Sequence, residues 1–284
     1  VGSAFGHPVV RGLVTGAKAD LRELSRIAAA TLTEFEGQFV AALGSRAVVH
    51  KGPGDFATEA DLVIERQLSE LLLRRTGIAV HGEEHGGPSP AENSVWVLDP
   101  VDGTANYSRG LPLTGINLGL LIDGVPRVGL TWLPLLDERY LAVDGDAAQL
   151  NGVRLPPLAR LKLDEVMVGF GNPVHQGPEP ASFPTEYRLL LLAALARRCL
   201  RIRVFGSSSV DLAWVASGRL GAVLLLGNNP WDVVAGACLV RAAGGLMSDL
   251  GGAEYSLGSQ AVLAAAPGVH EAVLEVIAEL GDKE

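Results

Sequence analysis

The chain has 284 residues, 48% of them apolar and 19% charged, which supplies a sizeable core and excludes extended disorder. Its net charge of -9 disfavours nucleic acid and anionic membrane surfaces as partners, although clustered acids reverse the local sign once they hold metal. The two cysteines, Cys199 and Cys238, lie in apolar, helix-like segments, so there is no disulfide framework to read and free buried thiols in a reducing compartment are expected.

Residues 1–16 show no basic leader followed by an apolar core and receive no element. The one visibly apolar run, Leu189 to Leu195, is too short to cross a bilayer, and the expected location is the cytoplasm. From Ala17 to about Leu43, the residues Leu21, Leu24, Ile27, Ala28, Leu32, Phe35 and Phe39 recur at helical spacing and predict one long amphipathic helix. Gly44 to Gly54 breaks it. Thr58 then opens a second helix, from about Asp61 to Arg75, closed by Gly77, and the pair should cover one face of a sheet.

Ile78 to His81 reads as a short strand leading into the loop Gly82-Glu83-Glu84-His85-Gly86-Gly87. Trp96-Val97-Leu98-Asp99 reads as a buried strand. Further strands follow at Thr114 to Ile122, Arg127 to Leu133 and Glu138 to Val143, the first two joined by an Asp123-Gly124 hairpin turn, and Asn151-Gly152 makes another turn. Beyond Pro157 strands and helices alternate: strands at 166–170, 202–205, 222–226, 245–248 and 261–265, helices at 187–198, 209–216, 231–243 and 269–280. That rhythm predicts an α/β class with two halves, residues 1–156 with an antiparallel sheet and residues 157–284 packed against it.

The stretch Asp99-Pro100-Val101-Asp102-Gly103-Thr104 organises the rest. It puts two acids at a strand end around a proline that interrupts ladder pairing, then a Gly-Thr turn whose amides can receive an anion such as phosphate. Two such acids repel each other, and a divalent cation with oxygen ligands compensates both. Asp-Pro and Asp-Gly are also ordinary turn dipeptides, so further acids must decide. Glu83 and Glu84 follow a strand, Asp55 and Asp61 flank Thr58, and Asp232 opens a late helix. Asp61 and Asp232 also suit helix N-termini. All four groups lie at ends of apolar elements, where α/β folds gather ligand sites, and this points to a metal-dependent phosphate-ester hydrolase. His81 and His85 do not suit zinc, because their spacing serves that metal on a helix and this is a glycine-rich loop. There is neither a Gly-x-Ser-x-Gly elbow nor a Gly-x-Gly-x-x-Gly turn.

Lys51-x3-Asp55-x2-Thr58-x2-Asp61, Gly82-Glu83-Glu84, Trp96-x2-Asp99-Pro100-Val101-Asp102-Gly103-Thr104-x-Asn106-Tyr107, Trp231-Asp232-x3-Gly236 and Gly244-Gly245-x3-Asp249 occur in this order. Together they resemble the inositol monophosphatase family. The resemblance implies an αβαβα sandwich of the inositol monophosphatase and fructose-1,6-bisphosphatase type, and a magnesium-dependent, lithium-sensitive phosphomonoesterase that is often dimeric. It implies that Glu83, Asp99 and the Val101 carbonyl hold one Mg2+, that Asp99, Asp102 and Asp232 hold a second, and that Glu83 with Asp61 holds a third more weakly. Thr104 and Asp61 would orient and deprotonate the attacking water, the Gly103 and Thr104 amides would hold phosphate, and Asp102, Asp232, Ser207 and Ser208 would face the leaving group. Serine at 207–209 equally suits helix capping. Lys51 would lie near the metal pocket, and a solvated lysine beside Gly52-Pro53 is the competing reading.

Where inositol-hydrolysing members keep a glutamate for ring hydroxyls, this chain has Leu225, which cannot accept those hydrogen bonds. Inositol 1-phosphate or a related sugar or cyclitol phosphate is the expected substrate, with histidinol phosphate, 3'-phosphoadenosine 5'-phosphate and fructose 1,6-bisphosphate as alternatives. A non-catalytic metal-binding scaffold is the reading from another class. Asp211, one turn inside the helix at 209–216, either salt-bridges or touches substrate, and Arg201 and Arg203 read as structural or interface charges.

Overall fold

A computed structural model describes residues 18–281 apart from 53–54, 92 and 176–181; the N-terminal stretch 1–16 lies outside the described residues. In chain order the elements are α1 (Lys18–Thr33), α2 (Glu36–Ala41), β1 (Ala47–Gly52), β2 (Asp55–Thr58), α3 (Glu59–Thr76), β3 (Val80–Gly82), β4 (Ser94–Asp102), α4 (Thr104–Ser108), β5 (Gly115–Ile122), β6 (Val125–Leu133), β7 (Glu138–Val143), β8 (Gln149–Leu150), β9 (Val153–Arg154), β10 (Met167–Phe170), α5 (Thr185–Ala196), β11 (Arg201–Arg203), α6 (Ser208–Ala216), β12 (Ala222–Leu226), α7 (Pro230–Ala242), β13 (Leu246–Ser248), β14 (Ala261–Ala265) and α8 (Val269–Gly281).

Strands β3 to β9 form a seven-stranded sheet in sequence order, and a five-stranded sheet runs β11-β10-β12-β14-β13. Helices α1 and α3 cover the outer face of the first sheet, burying Leu24, Leu32, Ile64 and Leu68 against Trp96, Leu98 and Leu118. Helices α6 and α7 lie between the sheets, and α5 and α8 close the outer face of the second. The layers read αβαβα. This order explains the sequence patterns. Strand β4 has Trp96 and Leu98 on the α3 side and Val95 and Val97 on the α7 side, against Val234, so it is a continuous apolar run and not an alternating one. Helix α7 is buried from Val233 through Val240, as expected of a helix with a sheet on each side. The Asp123-Gly124 turn joins β5 to β6 with both residues at positive φ, 51° and 73°, the geometry that matches strand twist.

Two expectations are corrected. The helix predicted from 17 to 43 is two helices: Glu34 N and Phe35 N donate to Thr31 O and Leu32 O, and the chain turns before α2. Leu32, Phe35 and Phe39 are all buried, so apolar spacing continues across the turn and the break leaves no gap in the pattern. Within the stretch 44–54, read as a break, Ala47–Gly52 instead forms the first strand of the antiparallel hairpin β1–β2. Cys238 is buried within α7, while Cys199 lies beyond the end of α5 and is half-buried. Among the described residues no helix is long and apolar enough to cross a membrane.

Candidate active site

Pro100 has no N–H to give to the ladder, and pairing of β4 with β5 shifts register between Asp99↔Asn117 and Asp102↔Gly115. The bulge releases both acids at one end of the sheet. Val101 N donates to Asp99 Oδ1 at 3.0 Å. Gly103, at φ 78°, takes the left-handed conformation that turns β4 into α4, leaving the first amides of α4 without intrahelical acceptors. Thr104 Oγ1 lies 3.0 Å from Val101 O and 3.2 Å from Asp61 Oδ1.

The remaining acids arrive from helix starts. Asp61 is the third residue of α3, and its Oδ2 accepts from Thr58 N at 2.9 Å and from the Thr58 hydroxyl. Asp232 is the third residue of α7 and its Oδ2 accepts from Asn229 N at 2.7 Å. Both are capping-box acids. Asp102 reaches the start of α6: Oδ1 accepts from Ser208 N at 3.2 Å and Ser208 Oγ at 2.8 Å, and Oδ2 accepts from Ser209 N at 2.7 Å and from the Ser207 hydroxyl. The serines thus both cap their helix and hold a carboxylate from the other half of the chain.

Glu83 is set by a residue the sequence reading missed. Glu65, 1% exposed, accepts from Glu84 N at 2.8 Å and His85 N at 2.7 Å and pins the loop that carries Glu83. Its only sequence signal is an acid one turn after Asp61 on a helix face that otherwise buries Ile64 and Leu68. A Cβ on Gly82 would stand 2.2 Å from the Glu65 carboxyl. Gly82→Ala should therefore displace either the loop or Glu65, with a loss of about 1–3 kcal/mol in stability and of most activity, read by chemical denaturation and by phosphate release.

Lys51 Nζ lies 2.7 Å from both Glu83 Oε1 and Glu84 Oε1, so this lysine faces the site and is not solvated by itself. Burial alone would depress its pKa, but its bonds to the two glutamates outweigh that and raise it.

Oxygen atoms of Asp99, Asp102 and Asp232 lie within 4.8 Å of one another. Burial above all, then Glu83, Asp102, Asp232 and Asp61, raises the Asp99 carboxyl well above its ordinary range. Burial pushes Asp232 up to about 8, against its bond from Asn229 and aided by Asp102 and Glu83. It pushes Glu83 up to about 7 despite Lys51, and it raises Asp61 against the bonds from Thr58. Deprotonated together, these groups need a compensating cation, and an oxygen-only donor set at this spacing fits a hard divalent ion such as Mg2+. Glu83 and Asp61 lie outside the close triad.

A cavity of about 1030 Å³ opens beside the triad. Leu225, 5% exposed, lines it, as do Ser207, Ser208, Asp102 and Asp232. Arg188, also missed, holds the wall by donating to Asn172 O at 2.8 Å and Leu226 O at 3.0 Å; it was hidden in the apolar run of α5. Asn106 is structural: its Nδ2 donates to Leu113 O and Phe205 O, both at 2.7 Å, tying α4 to the approach to α6. His81 stacks on Trp231 with centroids 5.9 Å apart, and His85 bonds Glu65 at 2.9 Å, so neither joins the triad. Arg201 and Arg203 donate to the carbonyls of Leu200 and Ile202 on edge strand β11.

Two sheets clasp a helix pair and carboxylates converge at one end of it; the family to which the sequence assigns this chain is one of phosphoric monoester hydrolases. The description "Inositol monophosphatase family" matches residues 15–282, and the chain belongs to that family. It is 46% identical over 257 residues, 90% of this chain and 94% of the relative, to the probable inositol 1-monophosphatase ImpA of Mycobacterium tuberculosis. Among solved structures it is similar to the extragenic suppressor protein suhB of Bartonella henselae, with a TM-score of 0.81, 24% identity and coverage of 90% of this chain and 98% of that one. It is also similar to an IMPase/NADP phosphatase complexed with Mg2+ and phosphate, with a TM-score of 0.77, 21% identity and coverage of 90% and 95%.

Proposed function

We propose that this enzyme hydrolyses a small polyol phosphate monoester, inositol 1-phosphate or a closely related sugar or cyclitol phosphate, with Mg2+ as its cofactor. The carrying observation is the triad of buried Asp99, buried Asp102 and half-buried Asp232, with ligand oxygens within 4.8 Å of one another, at the edge of a cavity. The name of the 46% identical relative supports the substrate class, and the Mg2+ and phosphate bound to the structural neighbour support the cofactor.

Glu83, Asp99 and Val101 O would hold one ion, Asp99, Asp102 and Asp232 a second, and Glu83 with Asp61 a third. Magnesium, when bound, supplies the positive charge that neutralises the ester dianion, acidifies the attacking water and stabilises the leaving alkoxide. Thr104 Oγ1 would orient that water and pass a proton to Asp61 Oδ1, 3.2 Å away. The Gly103 and Thr104 amides at the start of α4 hold phosphate oxygens, so attack requires positioning and no covalent nucleophile. Lys51 keeps Glu83 turned toward the site. Ser207 and Ser208 act through Asp102, toward which their hydroxyls point. Of the two halves, 1–156 and 157–284, the first brings the seven-stranded sheet and the second the five-stranded one, and a homodimer is the expected assembly.

Phosphate release from myo-inositol 1-phosphate, hexose phosphates, histidinol phosphate, 3'-phosphoadenosine 5'-phosphate and fructose 1,6-bisphosphate, with and without Mg2+, tests the reading. Turnover of a polyol ester that needs Mg2+ and is inhibited by lithium is expected. Silence on every ester with Mg2+ present would defeat it.

A further inference from the structure

Two residues that line the cavity each carry a buried oxygen with no hydrogen-bond partner. Oδ1 of Asp211 and Oδ1 of Asn228 are buried and make no hydrogen bond, and both residues line the cavity that reaches Asp102 and Asp232. Asp211 is 1% exposed in the first turn of α6. Its Oδ1 lies 2.6 Å from where a Cβ on Gly169 would stand, so the bare backbone of β10 makes its room. It shares a helix face with Ser207 and Ser208, four and three residues earlier. The hydroxyls of those serines donate to Asp102, which leaves Asp211 as the free acceptor of that face. Asn228 belongs to the turn between β12 and α7. Leu225, in the same wall, offers no acceptor.

A buried acceptor without a partner costs about 1–3 kcal/mol, and burial, with Asp102 nearby, raises the Asp211 carboxyl well above its ordinary range. A purely structural role would pair these atoms; a ligand role leaves them open until a donor arrives. We propose that Asp211 and Asn228 are the specificity-determining residues of the leaving-group pocket, accepting hydrogen bonds from hydroxyls of a polyol whose C–H surface rests on Leu225. The assignment rests on the phosphatase reading for its substrate class and deepens it to named residues.

Calorimetric titration of myo-inositol into the protein with Mg2+ and inorganic phosphate reads the pocket without turnover, and kinetics with p-nitrophenyl phosphate, which lacks hydroxyls, reads the chemistry alone. Asp211→Leu should weaken myo-inositol binding about tenfold or more and leave kcat/KM for p-nitrophenyl phosphate within about twofold. Its Tm should not fall, since an unpaired buried acid is removed. Asn228→Ala, nearer the surface, should act in the same direction and decides the matter if Asp211→Leu does not fold. Unchanged myo-inositol affinity in both variants, no binding by the parent chain, or an equal loss with p-nitrophenyl phosphate overturns the proposal. A parent chain that binds myo-inositol but hydrolyses no ester leaves the assignment standing and defeats the phosphatase reading alone.

Discussion

Asp99→Asn should lower kcat for any ester the enzyme accepts by at least about 10³-fold while raising the Tm of the metal-free protein. The two effects have one cause. Asp99 is 2% exposed, and its carboxyl faces Glu83, Asp102, Asp232 and Asp61, so its charge is destabilising until a cation arrives and indispensable afterwards. The amide keeps an oxygen for the Val101 N–H, which lies 3.0 Å from Asp99 Oδ1, and the bulge should persist. Kinetics with saturating Mg2+ and scanning calorimetry with chelator measure the pair. A variant that keeps activity, or loses it together with stability, would show that Asp99 serves the fold and not the ion.

The metal-free protein should lose stability steadily as pH rises from about 4 to 8, and Mg2+ should suppress much of that loss. Unfolded, Glu83 and Asp232 titrate near 4; folded, they titrate at about 7 and about 8. The folded chain therefore holds protons that the unfolded chain has released. Their contribution is complete below the unfolded values, declines as pH climbs, and is gone once pH passes the folded values. The swing should be on the order of a few kcal/mol. Mg2+ competes with these protons, so its affinity should rise through the same window. Tm measured across the range with and without Mg2+ checks both statements, and a flat metal-free curve would mean that the carboxylates are already compensated.

The acids that meet were legible because each stands at the end of an apolar element: Asp99 and Asp102 close β4 and Asp232 opens α7, as Asp61, outside the triad, opens α3. Such positions suit a capping acid as well as a ligand, and here Asp61 and Asp232 have the capping geometry and face the site. Leu225 was also legible as a departure, and it lines the cavity. Hairpin β1–β2 was not, because β1 is half-buried at Ala47 and exposed along the rest of its length, so nothing imposes alternation on Val48, Val49 and His50. Glu65 and Arg188 escaped notice for the opposite reason. Each is a buried charge that bonds backbone groups distant in sequence, Glu84 N and His85 N for Glu65 and Asn172 O and Leu226 O for Arg188, and no local spacing announces such a bond. The turn before α2 was invisible because burial of Leu32, Phe35 and Phe39 satisfies helical periodicity on both sides of it.

In the proposed mechanism, the attachment of Asp102 to the first turn of α6 makes one carboxylate both keystone and tool. A change at Ser207 or Ser208 that slackens this joint also shifts an oxygen that the proposed mechanism needs beside the reacting ester, so in that mechanism heat tolerance and turnover cannot evolve as independent traits at this seam. Variants selected for sturdiness there would carry the mark in their chemistry, and variants selected for speed would carry it in their melting.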